Sequence, residues 1–174
     1  MGIMADSSFN SGVLNEHMAG AVLPPLNLWE KKKGGFAVIE CPQCIPCNPC
    51  ATSCPAEAVN LFDDINNVPS VDYSKCTGCG MCIARCPGLA CFVIDLTYGR
   101  EDQALIHLPY EMFPLPAKGD TVACTDRTGQ IVANGEVTAV RQPWKDKTYI
   151  ISVAIPRGLA DEIRGCRVVP DHDK

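Results

Sequence analysis

Two cysteine quartets of identical spacing constrain this chain more than any other feature: Cys44, Cys47, Cys50 and Cys54 before Pro55, and Cys76, Cys79, Cys82 and Cys86 before Pro87. Both read C-x-x-C-x-x-C-x-x-x-C-P. Three thiolates this close can cap three corners of an iron-sulfur cube. The fourth, turned away by a short helix and the proline, is free to reach elsewhere. Two complete quartets imply two 4Fe-4S clusters, about eight irons and eight acid-labile sulfides per chain.

Ten of the 12 cysteines lie between Cys41 and Cys91, and only Cys124 and Cys166 follow. A cysteine-dense half is thus joined to a cysteine-poor one. A disulfide scaffold needs an oxidising compartment and normally a secretory signal. Met1 to Asn10 has neither a basic flank nor an apolar core, and no apolar run approaches the length of a membrane span. The expectation is a soluble cytoplasmic protein with reduced thiols. Zinc ribbons use separated C-x-x-C pairs, not unbroken quartets. Net charge is -5, with most of the acidic excess before residue 97, which argues against a nucleic-acid partner.

The expected fold class is α+β, in three parts. Residues 1-35 form an irregular arm whose apolar content (Val13, Leu14, Met18, Val22, Leu23) suggests that it lies on a surface. Residues 36-96 form a duplicated module with a repeat of 32 residues from Cys44 to Cys76. Strands are expected at Phe36 to Ile39, Ala58 to Phe62, Val68 to Val71 and Cys91 to Leu96. Residues 97-174 form a small antiparallel, barrel-like β domain for docking. It begins with a stiff connector carrying Pro109, Pro114 and Pro116. Strands then follow over Thr121 to Thr125, Gln130 to Ala133, Val137 to Arg141 and Thr148 to Ile155, with Asn134-Gly135 as a hairpin turn. Leu159 to Val169 reads as a helical turn and a strand.

The quartets resemble those of bacterial two-cluster ferredoxins, which implies a pseudo-twofold plan with exchanged fourth ligands. Cluster one then takes Cys44, Cys47, Cys50 and Cys86, and cluster two takes Cys76, Cys79, Cys82 and Cys54. Cys41, three residues before Cys44, is an alternative first ligand of cluster one. Gly78 and Gly80 let the backbone close on cluster two, whereas Pro42, Pro46 and Pro49 remove donors around cluster one, which should therefore have the lower potential. Cys91, Cys124 and Cys166 read as buried thiols, and His17, His107 and His172 as ordinary structural residues.

Val38-Ile39-Glu40-Cys41-Pro42, Ile45-Pro46-Cys47-Asn48-Pro49-Cys50, Lys75-Cys76-Thr77-Gly78-Cys79-Gly80 and Cys86-Pro87-Gly88-Leu89-Ala90 resemble the small iron-sulfur subunits of multi-subunit FAD-dependent dehydrogenases. Those complexes, similar to heterotetrameric sarcosine oxidase, act on proline, hydroxyproline, opines or related amines. The resemblance implies electron relay between flavin sites in a hetero-oligomer. Its partner flavoproteins would hold FAD, with FMN or a link to NAD(P)H as further options. The chain itself shows no phosphate loop, dinucleotide fingerprint or nucleophile-base grouping, so no catalytic residue is expected in it. A free shuttle ferredoxin and a structural or regulatory iron-sulfur protein are the other readings.

Overall fold

A computed structural model of the protein describes residues 24–60, 63–145 and 148–169. Most of the arm and the end of the strand expected at Ala58 to Phe62 lie outside them. Among the described residues, seven antiparallel strands form one sheet: β1 (Phe36–Ile39), β2 (Cys91–Asp95), β3 (Gln103–Tyr110), β4 (Thr121–Thr125), β5 (Ile131–Arg141), β6 (Tyr149–Pro156) and β7 (Gly165–Val168). Their spatial order is β1-β2-β3-β6-β5-β4-β7. The short helices α1 (Asn27–Lys31), α2 (Pro49–Thr52) and α3 (Met81–Arg85) lie in the cysteine-rich half, with a 3-10 turn at Arg157–Leu159 before β7.

The expected barrel is not closed. β1 and β7 stand at opposite edges of the sheet. The edge of β1 is used differently: the Ala37 N–H donates to Cys76 Sγ at 3.3 Å. A backbone donor that would otherwise invite another strand is occupied by a cysteine of the second quartet.

Residues before and after 96-97 share this sheet, because β2 pairs with β3 from Val93–His107 to Asp95–Leu105. β3 alternates half-buried and buried residues, with Ala104, Ile106, Leu108 and Tyr110 facing the core. β1, by contrast, is buried at all four positions and β2 at four of five, since both faces are covered. From the arm, Trp29 packs edge-on against Phe36 at 5.3 Å, and Tyr73 meets the same ring at 6.0 Å. One apolar core runs from Trp29 to Cys166.

Three sequence expectations need correction. Asn134-Gly135 is not a hairpin turn but lies inside β5, opposite Ala123 and Val122. A Cβ on Gly135 would come within 2.5 Å of Val153 Cγ1 and 2.9 Å of Cys124 Sγ, so this glycine serves close packing, not a turn. Pro109 belongs to β3, paired with Ile150, not to a connector. It lies past the segment covered by β2, where β3 is an edge strand and tolerates a missing donor. Finally, the strands expected at Ala58 to Phe62 and Val68 to Val71 reduce to an isolated bridge, Val59 to Val71. Pro69 removes a ladder donor there, and Val68 is exposed.

Candidate metal centre

Cys54, Cys76, Cys79 and Cys82 line one small pocket, closed by Ala37, Val59 and Val93. This is the thiol set expected for cluster two, with three members from one quartet and one from the other. Two glycines form its lip. Gly78 (φ 68°) sits so tightly that a Cβ would come 2.3 Å from Gly35 O, and Gly80 (φ 79°) caps the start of α3. Each is held in the left-handed region that glycine alone enters at little cost. Lys32 Nζ donates to Cys76 O, bringing a cation to the second loop.

Backbone donors reach the cysteine sulfurs in a repeated pattern. Ala58 N–H donates to Cys54 Sγ at 3.2 Å, and Ala90 N–H donates to Cys86 Sγ at 3.3 Å. Each is the fourth residue after its cysteine. Such N–H···S bonds stabilise the charge of a ligating thiolate.

The other thiol set gathers around Cys41 and Cys50. Cys50 is buried at the start of α2, with Cys86, Cys82 and Cys41 near it. Cys41, half-buried, has Cys86, Cys47 and Cys44 around it, whereas Cys44 is exposed. Cys41 therefore adjoins the expected partners Cys47 and Cys86. Pro49 begins α2 where Met81 begins α3, and Asn48, not a glycine, precedes it.

Cys91 stands between the two sets. It is buried on β2, and its thiol hydrogen-bonds with both Cys82 and Cys86. The bond from Cys91 outweighs burial and lowers Cys86 to about 6; it also lowers Cys82, while Cys91 itself is raised. Burial pushes Cys50 up to about 11. Cys124 and Cys166 face each other across β4 and β7, and burial pushes them up to about 11 and 12. They are neutral core thiols. His107 is half-buried with Nδ1 2.7 Å from Ser152 Oγ, and its partial burial and Arg141 lower it to about 4. His17 and His172 lie outside the described residues.

Sequence reasoning missed the ionic cluster beside Cys41. Glu40 accepts hydrogen bonds from Arg127 Nε (3.0 Å to Oε2), Arg127 Nη2 (2.6 Å to Oε1) and Arg164 Nε (2.7 Å to Oε1). Asp161 lies 3.4 Å from Arg164 and 3.8 Å from Arg127. The side chains of Arg164 and Glu40 are only 4% and 8% exposed. Burial raises the Glu40 pKa, but the two guanidinium groups more than reverse this, and the carboxyl lies below its ordinary value. The available signal was a carboxylate ending the apolar run Phe36 to Ile39, a position that calls for a cation.

Comparison with known proteins decides what the cysteines hold. Residues 36–87 match the family described as a 4Fe-4S dicluster domain. The chain carries two 4Fe-4S clusters. The lined cavity, the glycine lip and the N–H···S donors fit that group. The chain is similar to NADH-quinone oxidoreductase subunit I of Pelobacter propionicus, 40% identical over 55 residues (26% of this chain, 30% of the relative). It is 44% identical over 52 residues to an uncharacterized ferredoxin of Methanocaldococcus jannaschii (29% and 32%). It is 41% identical over 44 residues to a component of the ion-translocating oxidoreductase complex of Methanosarcina acetivorans (25% and 16%). The chain spans a third or less of the length of these relatives. No solved structure matches it. No described helix is long and apolar enough to cross a membrane.

Proposed function

We propose that this protein is the electron-transfer subunit of a multi-subunit FAD-dependent amino-acid dehydrogenase, passing electrons between flavin sites through its two clusters. The observation that carries the relay is the match of residues 36–87, which hold both cysteine quartets, to a domain of two 4Fe-4S clusters. In this reading Cys44 (or Cys41), Cys47, Cys50 and Cys86 hold cluster one, and Cys76, Cys79, Cys82 and Cys54 hold cluster two. Each cluster supplies reversible one-electron chemistry; the protein supplies insulation, donors to the sulfurs and docking surfaces. Relatives named as parts of oxidoreductase complexes support a fixed position in an assembly over a free shuttle. The phrasing around the quartets supports an amine-oxidising flavoprotein as the partner.

The test is anaerobic copurification from the host, followed by redox titration of the assembly with EPR detection. Both clusters should titrate as one-electron centres and bleach when a secondary amine such as proline is added. The isolated chain should show no amine dehydrogenase activity with any dye. Clusters that neither titrate reversibly nor bleach would favour a structural role.

A further inference from the structure

The two expected exchanged ligands, Cys54 and Cys86, each open on the surface, and the two openings differ in chemistry. Beside Cys54 lies a trough of about 410 Å3 lined by Thr52, Glu57, Asn60 and Lys75, with no aromatic side chain among the described residues around it. Beside Cys86 lies one of about 570 Å3, walled by Arg85, Tyr110, Glu111, Phe113 and Tyr149. Phe113 is 93% exposed, an unusual position for a phenyl ring. Tyr110 is fixed by donating from its hydroxyl to Pro114 O at 2.8 Å. Arg85 lies 5.3 Å over the Trp144 ring, and Thr148 Oγ1 donates to Glu111 Oε1 at 2.6 Å.

The volume is that of a small-molecule site, and the composition is that of most such sites: apolar and aromatic walls with a few polar groups. We infer that the trough beside Cys86 binds a planar two-electron carrier, a conjugated ring bearing carbonyl groups such as an isoalloxazine or a quinone. Phe113 and Tyr149 offer faces for stacking, and the Arg85 guanidinium offers donors to ring carbonyls. A ring seated there touches the residue that holds cluster one, which is what an electron port requires. Reduced, it carries two electrons and two protons. On oxidation of the ring the Glu111 carboxylate would take one proton and solvent the other, and the two electrons would match the capacity of two one-electron clusters held by the quartets. The inference deepens the relay reading and rests on it in one respect, the placing of Cys86 on cluster one.

Equilibrium dialysis of the anaerobic, cluster-loaded full chain against FMN and, separately, against a short-chain quinone such as menadione tests it. At least one probe should saturate a single site below about 100 μM. Phe113→Ala should weaken that binding at least tenfold and Arg85→Gln about threefold to tenfold, with iron content unchanged in both. Saturation by FMN alone identifies the flavin, by menadione alone the quinone, and by both a shared ring site. No saturable binding of either probe up to about 1 mM, or equal affinity in wild type and Phe113→Ala, overturns the inference. Iron analysis of Cys86→Ala separates the two claims: retention of all iron removes Cys86 from cluster one and refutes the port, whatever the dialysis shows.

Discussion

A shift of 32 residues, the distance from Cys44 to Cys76, carries the bridged pair Ile39 and Cys91 onto Val71 and Val59, which are also bridged. The neighbouring bonds obey the same shift: Glu40 N–H to Ala90 O at 2.8 Å answers Asp72 N–H to Ala58 O at 2.7 Å. Yet the first pair ends a ladder of four residues per strand, and the second stands alone. Side chains explain the divergence. The first half is extended by Phe36, Ala37 and Val38 and roofed by Trp29, while the second meets Pro69 and solvent. Glu40 is clamped by two arginines, whereas its counterpart Asp72 caps its own turn, accepting from Ser74. The backbone at the ligands has been kept, and the surroundings have specialised.

The comparison breaks most visibly at the metal. Cys54→Ala should cost about four of about eight irons by taking cluster two, and Cys44→Ala should cost as many by taking cluster one. Cys41→Ala should leave the count nearly intact; the reverse result for Cys41 and Cys44 would mean that the first half uses the wider loop. Chemical iron and sulfide analysis decides. Next comes the anchoring of the two halves. Glu40→Gln takes the shared carboxylate from the buried Arg164 and the half-buried Arg127 and should cost about 3 to 5 kcal/mol in denaturant unfolding of the loaded protein. Asp72→Asn should leave the unfolding midpoint in place. Because the folded Glu40 pKa is depressed, its contribution is complete above the ordinary value of 4.5 and is lost as pH falls through the folded pKa. The wild type should therefore lose more stability on acidification in that range than Glu40→Gln does.

A smaller contrast lies within the second loop. Gly78→Ala forces both a left-handed backbone and a clash with Gly35, so it should cost about 1 to 3 kcal/mol and loosen cluster two. Gly88→Ala, with open space around its Cβ, should be neutral. The finest contrast is electronic. Cluster two should titrate at the higher potential, and Pro46→Gly should raise cluster one by tens of millivolts. That is about what one hydrogen bond of roughly 1 kcal/mol contributes to a one-electron couple. EPR-monitored titration of both proteins would reveal a reversed order if burial outweighs donors.

Much of this was legible from the residues. The quartets gave the duplication and the clusters because thiolate spacing is dictated by the cube. Phe36 to Ile39 and Cys91 to Leu96 read as strands because four consecutive apolar, β-favouring residues have few alternatives. The signals that misled were those with two physical origins. Gly135 looks like a turn residue, but the constraint on it is the approach of β6 and Cys124 from outside its own segment. Pro109 looks like a strand breaker unless one knows where β2 ends. The partnership of Glu40 with Arg127 and Arg164 spans 87 and 124 residues of chain, and no local pattern encodes it.

That partnership gives the distal sheet a stake in the metal. Arg127 sits in the turn between β4 and β5 and Arg164 just before β7, and both hold the carboxylate next to Cys41. Any free energy gained when cluster one organises its loop is therefore shared with strands far along the chain from the quartets, by the ordinary reciprocity of linked equilibria. Iron occupancy would then be written into amide hydrogen exchange at Thr125 and Gly165. The far edge of the sheet would report oxidative loss of the cluster before anything there had been chemically altered.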